Sequence, residues 1–284
     1  MKKRFSQHLL VDKNHLKKII NAINITPDDI VLEIGAGSGL LTCELAKVAK
    51  KVIAVENEKL ILKQLTENIK GFQNTEIIEA DFLKLDLCKT YNSILNPSAG
   101  GGPASGGQSS ILKVVGNIPY NITSKILIKL FGEIDKPALH LGFLSEIYLM
   151  LQFEVAERVV SKVSTKAYSP LTLLIQYFTE PKILYKVPAG AFFPVPKVNS
   201  AFVFFKVKNK LQKLENPALL KNIIRTCFEQ RRKKIINPLS KFYKDKAFIK
   251  EKFEEINLDC NLRAEDLGMN EYMLIADSLA NCKR

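Results

Sequence analysis

A chain of 284 residues is long enough for a full-sized core domain and a smaller second one. Hydrophobic content of 46% with 25% charged residues describes an ordinary globular protein, and no apolar run approaches the roughly 20 residues that a membrane span needs. Lys and Arg total 42 against 29 Asp and Glu, a net charge of +13, which points away from basic partners and towards a polyanion.

The opening MKKRFSQHLL carries basic residues but no apolar h-region, so secretion is not expected. Residues 12 to 24 predict a helix, with Leu16, Ile19, Ile20 and Ile23 at helical spacing. Short β-branched runs then alternate with amphipathic stretches, the pattern of a mostly parallel sheet flanked by helices. DIVLEIG (29–35), KVIAVE (51–56), TEIIEA (75–80), KVVGN (113–117) and IYLMLQ (147–152) are the predicted strands. Helices are predicted in LLTCELAKVAK after the first strand and EKLILKQLTENI after the second. NPSAGGGPASGGQSS (96–110) lacks core-forming residues and predicts a flexible loop.

Beyond residue 205 the chain turns helical and basic. Residues 206–250 hold 14 Lys and Arg against the three acids Glu215, Glu229 and Asp245, a net +11, and the first 20 residues add +5. This charge favours phosphate contacts and counterion release over a small-molecule substrate. A mixed α/β domain over 1–207 and a small helical, basic domain over 208–284 are expected. The five cysteines (43, 88, 227, 260, 282) form neither a C-x-x-C pair nor a paired framework, so no metal site is expected and a reducing cytoplasm fits.

LEIGAGSGLL sets Gly35, Gly37 and Gly39 between the first strand and the next helix. Glycines admit close backbone approach, and a helix N-terminus supplies free N–H donors. Glu56, ending the second strand 21 residues after Gly35, is placed to accept from ribose hydroxyls. The G-x-G-x-G spacing differs from the dinucleotide fingerprint. Glu33, two residues before the first glycine, is unsuited to a pyrophosphate but suits the cation of S-adenosylmethionine. Asp81 after the third strand can accept from an adenine amino group or cap a turn.

The fourth predicted strand runs into GNIPYNIT. An exocyclic aromatic amine is a poor nucleophile because its lone pair is delocalised into the ring. The Asn117 side-chain oxygen and the Ile118 carbonyl can accept its N–H groups, and Pro119 forces Ile118 into an extended conformation that fixes that carbonyl. Tyr120 offers a face for a purine to stack on. Proximity and electrostatics can then carry transfer without a strong general base.

With these motifs assembled, the chain resembles the small-subunit ribosomal RNA adenine dimethyltransferases. QHLL (7–10), EIGAGSG (33–39), VIAVE (52–56), ADF (80–82), GNIPYNIT (116–123), LMLQFEVAER (149–158) and FFPVPKVNSAFV (192–203) run in family order. FEQRRKKIINPL and LRAEDLGMNEY extend the resemblance into the tail. It departs from the common pattern at Leu9, where the family usually has Phe, and in the 96–110 tract, an apparent insertion of about 14 residues.

The resemblance implies an α/β fold: a Rossmann-like, seven-stranded methyltransferase domain with a small all-α C-terminal domain. It implies S-adenosylmethionine as cofactor and N6,N6-dimethyladenosine at two adjacent adenosines, in a hairpin loop near the 3′ end of small-subunit rRNA, as product. His8 and Leu10 then belong to a segment closing over the cofactor. Gly35 and Gly37 line its methionine side, Glu56 takes the ribose, Asp81 reads the adenine and Phe82 flanks it. Asn117, Ile118, Pro119 and Tyr120 hold the target base, Asn117 also contacting the cofactor, with Phe192 as a second stacking aromatic and Phe193 its adjacent alternative. The basic run Arg231, Arg232, Lys233 and Lys234 is expected to contact RNA. A monomer acting in small-subunit biogenesis is expected, with no membrane partner. The competing readings are a large-subunit adenosine dimethyltransferase conferring macrolide resistance, and a non-catalytic assembly or transcription factor on the same fold.

Overall fold

The computed structural model describes residues 8–95 and 112–280; the predicted loop at 96–110 lies outside them. Among the described residues, seven strands form one sheet: β1 Ile30–Ile34, β2 Lys51–Glu56, β3 Thr75–Glu79, β4 Leu112–Asn117, β5 Leu144–Gln152, β6 Thr179–Val187 and β7 Ser200–Val207. The helices, in chain order, are α1 Lys13–Ile23, α2 Leu40–Ala46, α3 Lys59–Ile69, α4 Leu87–Leu95, α5 Thr123–Phe131, α6 Phe153–Val160, α7 Pro170–Phe178, α8 Pro217–Glu229, α9 Ile236–Tyr243, α10 Lys246–Glu255 and α11 Met269–Ala280.

The strand order is β3-β2-β1-β4-β5-β7-β6. The pairs β1–β2, β2–β3, β1–β4 and β4–β5 are parallel, and β7 runs antiparallel to β5. β1 sits between two parallel neighbours, and all five of its residues are buried. That explains its nearly unbroken apolar run, because a strand covered on both faces has no polar side to show. The chain leaves β1 towards β2 and later returns on the other side as β4. The carboxyl ends of β1 and β4 therefore flank the point where strand order reverses, the crevice where open parallel sheets bind ligands.

Local chemistry sets the element ends. Asp12 caps α1, its Oδ1 accepting from the backbone N–H groups of Asn14 (2.7 Å) and His15 (3.0 Å). The helix stops at Asn24, whose φ of 49° is one that Asn tolerates better than most residues. Ile19 and Ile23 turn inward to pack with Val31, Leu45, Val115 and Phe202. At the opening of β4, Lys113 is only 8% exposed. Its Nζ pairs with Asp29 Oδ2 (3.0 Å) and Glu146 Oε2 (3.2 Å) and donates to the Asn24 carbonyl (3.0 Å). A buried ammonium needs such partners, and here they tie β4 to β5 and to the α1–β1 turn.

The described residues divide into two compact units. The first comprises 8–95, 112–131, 138–156 and 180–208 and contains nearly the whole sheet. The second draws together 132–137, 157–179 and 209–280, so it adds two earlier segments to the 208–284 region expected from the sequence. Side chains explain that grouping. The Arg231 guanidinium binds Glu265 and donates to the carbonyls of Thr165 (3.1 Å) and Lys166 (2.8 Å). The Tyr168 hydroxyl donates to the Leu267 carbonyl (3.0 Å). Within this unit α8 starts at Asn216, whose Oδ1 accepts from Leu219 N–H (3.0 Å), with Pro217 in the first turn. It buries Leu220, Ile223, Ile224 and Cys227. No described helix is long and apolar enough to cross a membrane.

Candidate active site

The glycine turn follows β1 directly. Gly35, Gly37 and Gly39 have φ values of 71°, 57° and 86°, a region other residues rarely enter. The turn is fastened to β2 by Gly35 and Ala36 N–H groups donating to the Val55 carbonyl (2.9 and 3.2 Å). Across the crevice, Gly116 pairs with Ile34, and a Cβ there would fall 2.9 Å from the Ile34 carbonyl oxygen. Only glycine lets β1 and β4 approach closely enough to set Asn117 beside the turn.

Two buried carboxyl groups organise this end. Glu56 is 1% exposed; its Oε2 accepts from Gly37 N–H (2.9 Å) and its Oε1 from Asn57 (2.8 Å) and Glu58 (2.9 Å). The side chain read as a ribose acceptor thus also locks the glycine turn to the β2–α3 connection. Glu33 is 2% exposed and accepts from the Thr42 hydroxyl (2.6 Å). Burial pushes its carboxyl up to about 8, the Thr42 bond opposes that shift, and the Glu56 charge adds to it.

A cavity at the crevice is lined by Glu33, Gly35, Ala36, Ser38, Gly116 and Asn117, with Leu9 and Leu10 also on its wall. An acid, close-approach glycines and apolar side chains suit the cationic, sulfonium-bearing end of S-adenosylmethionine. Asp81 and Phe82 lie after β3, two strands further along. Asp81 caps the short turn Phe82–Lys84 by accepting from Leu83 N–H (3.0 Å), the capping role left open by the sequence, and Phe82 is 6% exposed. Of the cofactor residues read from the sequence, Leu10, Gly35 and Asn117 lie on the cavity wall, whereas Glu56, Asp81 and Phe82 lie along the ends of β2 and β3.

Asn117 ends β4, and its Nδ2 donates to the His8 carbonyl (2.7 Å). The His8 imidazole donates from Nδ1 to the Pro194 carbonyl (2.6 Å), and its ring centroid lies 5.3 Å from that of Tyr120. The Tyr120 hydroxyl forms a short hydrogen bond with Ser200, a residue with no solvent exposure. Burial holds the Tyr120 phenol above its usual range, partly offset by that bond. Ile118 is 1% exposed, and Pro119 is extended with φ −62° and ψ 131°. Ser200, the Pro194 carbonyl and Thr42 belong to this neighbourhood although sequence reasoning did not select them. For Ser200 the available signal was a small polar residue opening an apolar strand.

Two sequence readings need correction. Phe192 was expected to offer its ring to the target base, but it is 1% exposed and packs with Val187, Ala191 and Phe202, whereas Phe193 is 69% exposed. Residues 192 and 193 pair with Leu10 and Leu9 in an extended ladder, where successive side chains point to opposite faces. Arg231, expected at the RNA, spends its guanidinium on Glu265, Thr165 and Lys166. Arg232, Lys233 and Lys234 are exposed, and Lys234 donates to Asn261 Oδ1 (2.7 Å). Among the described residues no cluster of three or more His, Cys, Asp or Glu could hold a metal ion.

The sheet order, the glycine turn after β1 and N-I-P-Y after β4 define a Rossmann-like methyltransferase. Sequence and structure comparisons narrow the class. The sequence model of the ribosomal RNA adenine dimethylase family matches residues 1–281. Ribosomal RNA small subunit methyltransferase A of Acaryochloris marina is 36% identical over 278 residues, 98% of this chain and 97% of the relative. The protein of that name from Leuconostoc mesenteroides is 36% identical over 275 residues, 95% of this chain and 87% of the relative. A dimethyladenosine transferase from Plasmodium falciparum superposes with a TM-score of 0.72 at 27% identity, covering 96% of this chain and 98% of the other. The 23S rRNA methyltransferase ErmE, at 24% identity and a TM-score of 0.68 over 96% of this chain and 100% of its own, shares the fold. The chain belongs to the ribosomal RNA adenine dimethylase family.

Proposed function

We propose that the protein transfers methyl groups from S-adenosylmethionine to the N6 amines of two adjacent adenosines, in a hairpin loop near the 3′ end of small-subunit rRNA, producing N6,N6-dimethyladenosine. The observation that carries this reading is the orientation of Asn117. A carbonyl can only accept a hydrogen bond, so the contact with His8 turns the amide N–H₂ group towards residue 8 and leaves Oδ1 as a free-facing acceptor. Oδ1 and the Ile118 carbonyl accept the N–H groups of the target amine and draw its lone pair out of conjugation. Tyr120, held by Ser200, presents a ring against which the extruded base stacks.

Bound S-adenosylmethionine supplies an electrophilic methyl group on a sulfonium. Glu33 and the glycine turn receive its cationic end, Glu56 its ribose, and Asp81 and Phe82 its adenine. His8 and Leu10 cover it. Phe192 is buried in the core, so the first stacking role falls to Tyr120, with the exposed Phe193 as the adjacent aromatic. Arg232, Lys233 and Lys234 supply phosphate contacts from the helical, basic part of the chain, with Arg231 as their internal support. The small-subunit relatives support this choice of substrate, and the protein is read as a cytoplasmic monomer acting during small-subunit biogenesis.

The test is incubation with labelled S-adenosylmethionine and unmethylated small subunits, with large-subunit RNA in parallel, followed by mapping of the modified bases. Paired dimethyladenosines near the small-subunit 3′ end are expected. Label on one large-subunit adenosine, or cofactor binding without label on either RNA, overturns the reading.

A further inference from the structure

We infer that His8 is a positioning residue: its imidazole latches the N-terminal segment to the 192–196 loop so that its own backbone carbonyl fixes the rotation of the Asn117 amide. The inference rests on the proposed function for its catalytic consequence, but its geometry stands apart from it.

An unrestrained asparagine amide can rotate by half a turn and exchange its oxygen for its nitrogen. At the end of β4 that exchange would offer two N–H donors to an amine that needs an acceptor. The His8 carbonyl, 2.7 Å from Asn117 Nδ2, removes the ambiguity because it tolerates only the N–H₂ orientation. A backbone carbonyl in a chain-terminal segment is a poor anchor unless something holds the segment. Five contacts do so. The His8 Nδ1 donates to the Pro194 carbonyl at 2.6 Å, which requires the proton to sit on Nδ1. The imidazole also lies 5.3 Å from the Tyr120 ring at an angle of 31°. Next to it, Leu9 and Leu10 pair with Phe193 and Phe192, and Val11 N–H donates to the Ala191 carbonyl (3.0 Å). The His8 ring therefore joins the two segments that carry N-I-P-Y and F-F-P-V-P, while its main chain sets the acceptor. The resemblance assigns residue 8 to cofactor contact alone; these bonds give it a second task that does not touch the reacting atoms.

The variants His8→Asn and His8→Phe separate the elements of the latch. Asn places an amide N–H₂ close to where Nδ1 stood and keeps the bond to Pro194 while losing the ring. Phe keeps a ring beside Tyr120 and loses the donor. Misplacing a reacting group by about an ångström costs on the order of a hundredfold in rate. At saturating cofactor His8→Phe is therefore expected to lower kcat by about tenfold to a hundredfold, beyond any loss of cofactor affinity, and His8→Asn to recover at least about fivefold of that loss. The second readout needs no turnover. The Asn117 side-chain amide resonances, assigned as the pair missing from Asn117→Ala, are expected to shift and lose solvent protection in His8→Phe and to keep both in His8→Asn.

A fall in cofactor affinity that accounts for the whole rate loss assigns His8 to cofactor contact and overturns the proposal. Asn117 resonances indifferent to His8→Phe in a folded protein overturn it as well. Absence of methyl transfer by the wild-type protein overturns the proposed function but leaves the resonance test of the latch in force.

Discussion

Around Asn117 in the first unit the polar groups are few and buried or half-buried, and each is fixed by named bonds: Glu33 to Thr42, Glu56 to three backbone N–H groups, Tyr120 to Ser200. In the second unit the groups of interest are numerous and exposed. Arg232, Lys233 and Lys234 stand in solvent, while ion pairs such as Lys250–Glu254 (3.9 Å) and Arg225–Glu229 (4.0 Å) lie along exposed helix faces. On the proposed function, one unit works through orientation at ångström scale in a low-dielectric crevice, the other through charge density screened by salt. Loss of one group should therefore be decisive in the first unit and graded in the second.

The largest expected effect is that of Asn117→Ala. Methyl transfer should fall by about a hundredfold to a thousandfold or more, the range for deleting one preorganised polar group, while calorimetry shows cofactor affinity changed only a few-fold. Wild-type turnover in this variant removes the mechanism.

Glu33 tests whether burial governs the first unit. Its folded-state carboxyl is raised to about 8, so the folded chain holds a proton that the unfolded chain has already released in the ordinary carboxylate range. Stability of the wild type should accordingly decline as pH rises from that range towards about 8 and level off above it. Glu33→Gln keeps an acceptor for Thr42 and removes the titration. Its melting temperature should gain on the wild type over that window, corresponding to a few kcal/mol at most. A constant difference between the two proteins from pH 5 to 9 contradicts the assignment.

The basic run sharpens the contrast within the second unit. Arg231→Ala should destabilise the fold by roughly 1–3 kcal/mol, since the half-buried Glu265 loses its guanidinium and two carbonyls lose their donor. Charge reversal of Arg232, Lys233 and Lys234 should leave the melting temperature nearly unchanged. It should weaken small-subunit binding and flatten its dependence on log salt by about two to three. Equal effects of the two changes on salt dependence erase the distinction drawn here between Arg231 and its neighbours.

Much of the first unit was legible because its signals are local. DIVLEIG, KVIAVE and TEIIEA each became a strand within a residue or two of the expected bounds, and the glycines and N-I-P-Y fell at strand ends as read. β6 and β7 were not read individually. TEPKILYKV contains a proline and mixed burial, and SAFVFFKV continues a motif whose prolines dominate the pattern. The tight contacts of the site were invisible for a different reason. His8 meets Pro194 across 186 positions and Tyr120 meets Ser200 across 80, separations that no local period encodes. Phe192 and Phe193 show the same limit at the shortest range, because adjacency says that one ring faces in and one out but not which. Arg231 differs from Arg232 only through partners at residues 165, 166 and 265.

The position of β7 has a consequence for how the protein comes into being. It is the last strand to be synthesised, yet it lies inside the sheet, between β5 and β6. Until residue 207 has left the ribosome, β5 keeps an open edge along the seven positions from Glu146 to Gln152 that later pair with Lys206 to Ser200. Tyr120 meanwhile waits without Ser200, and Asn117 without the loop that anchors His8. A chain of this kind completes its interior late, through long-range pairing of the slow sort, and an unpaired strand edge invites association in the interval. On the proposed function, the nascent chain consequently lacks a completed transfer site until the sheet closes.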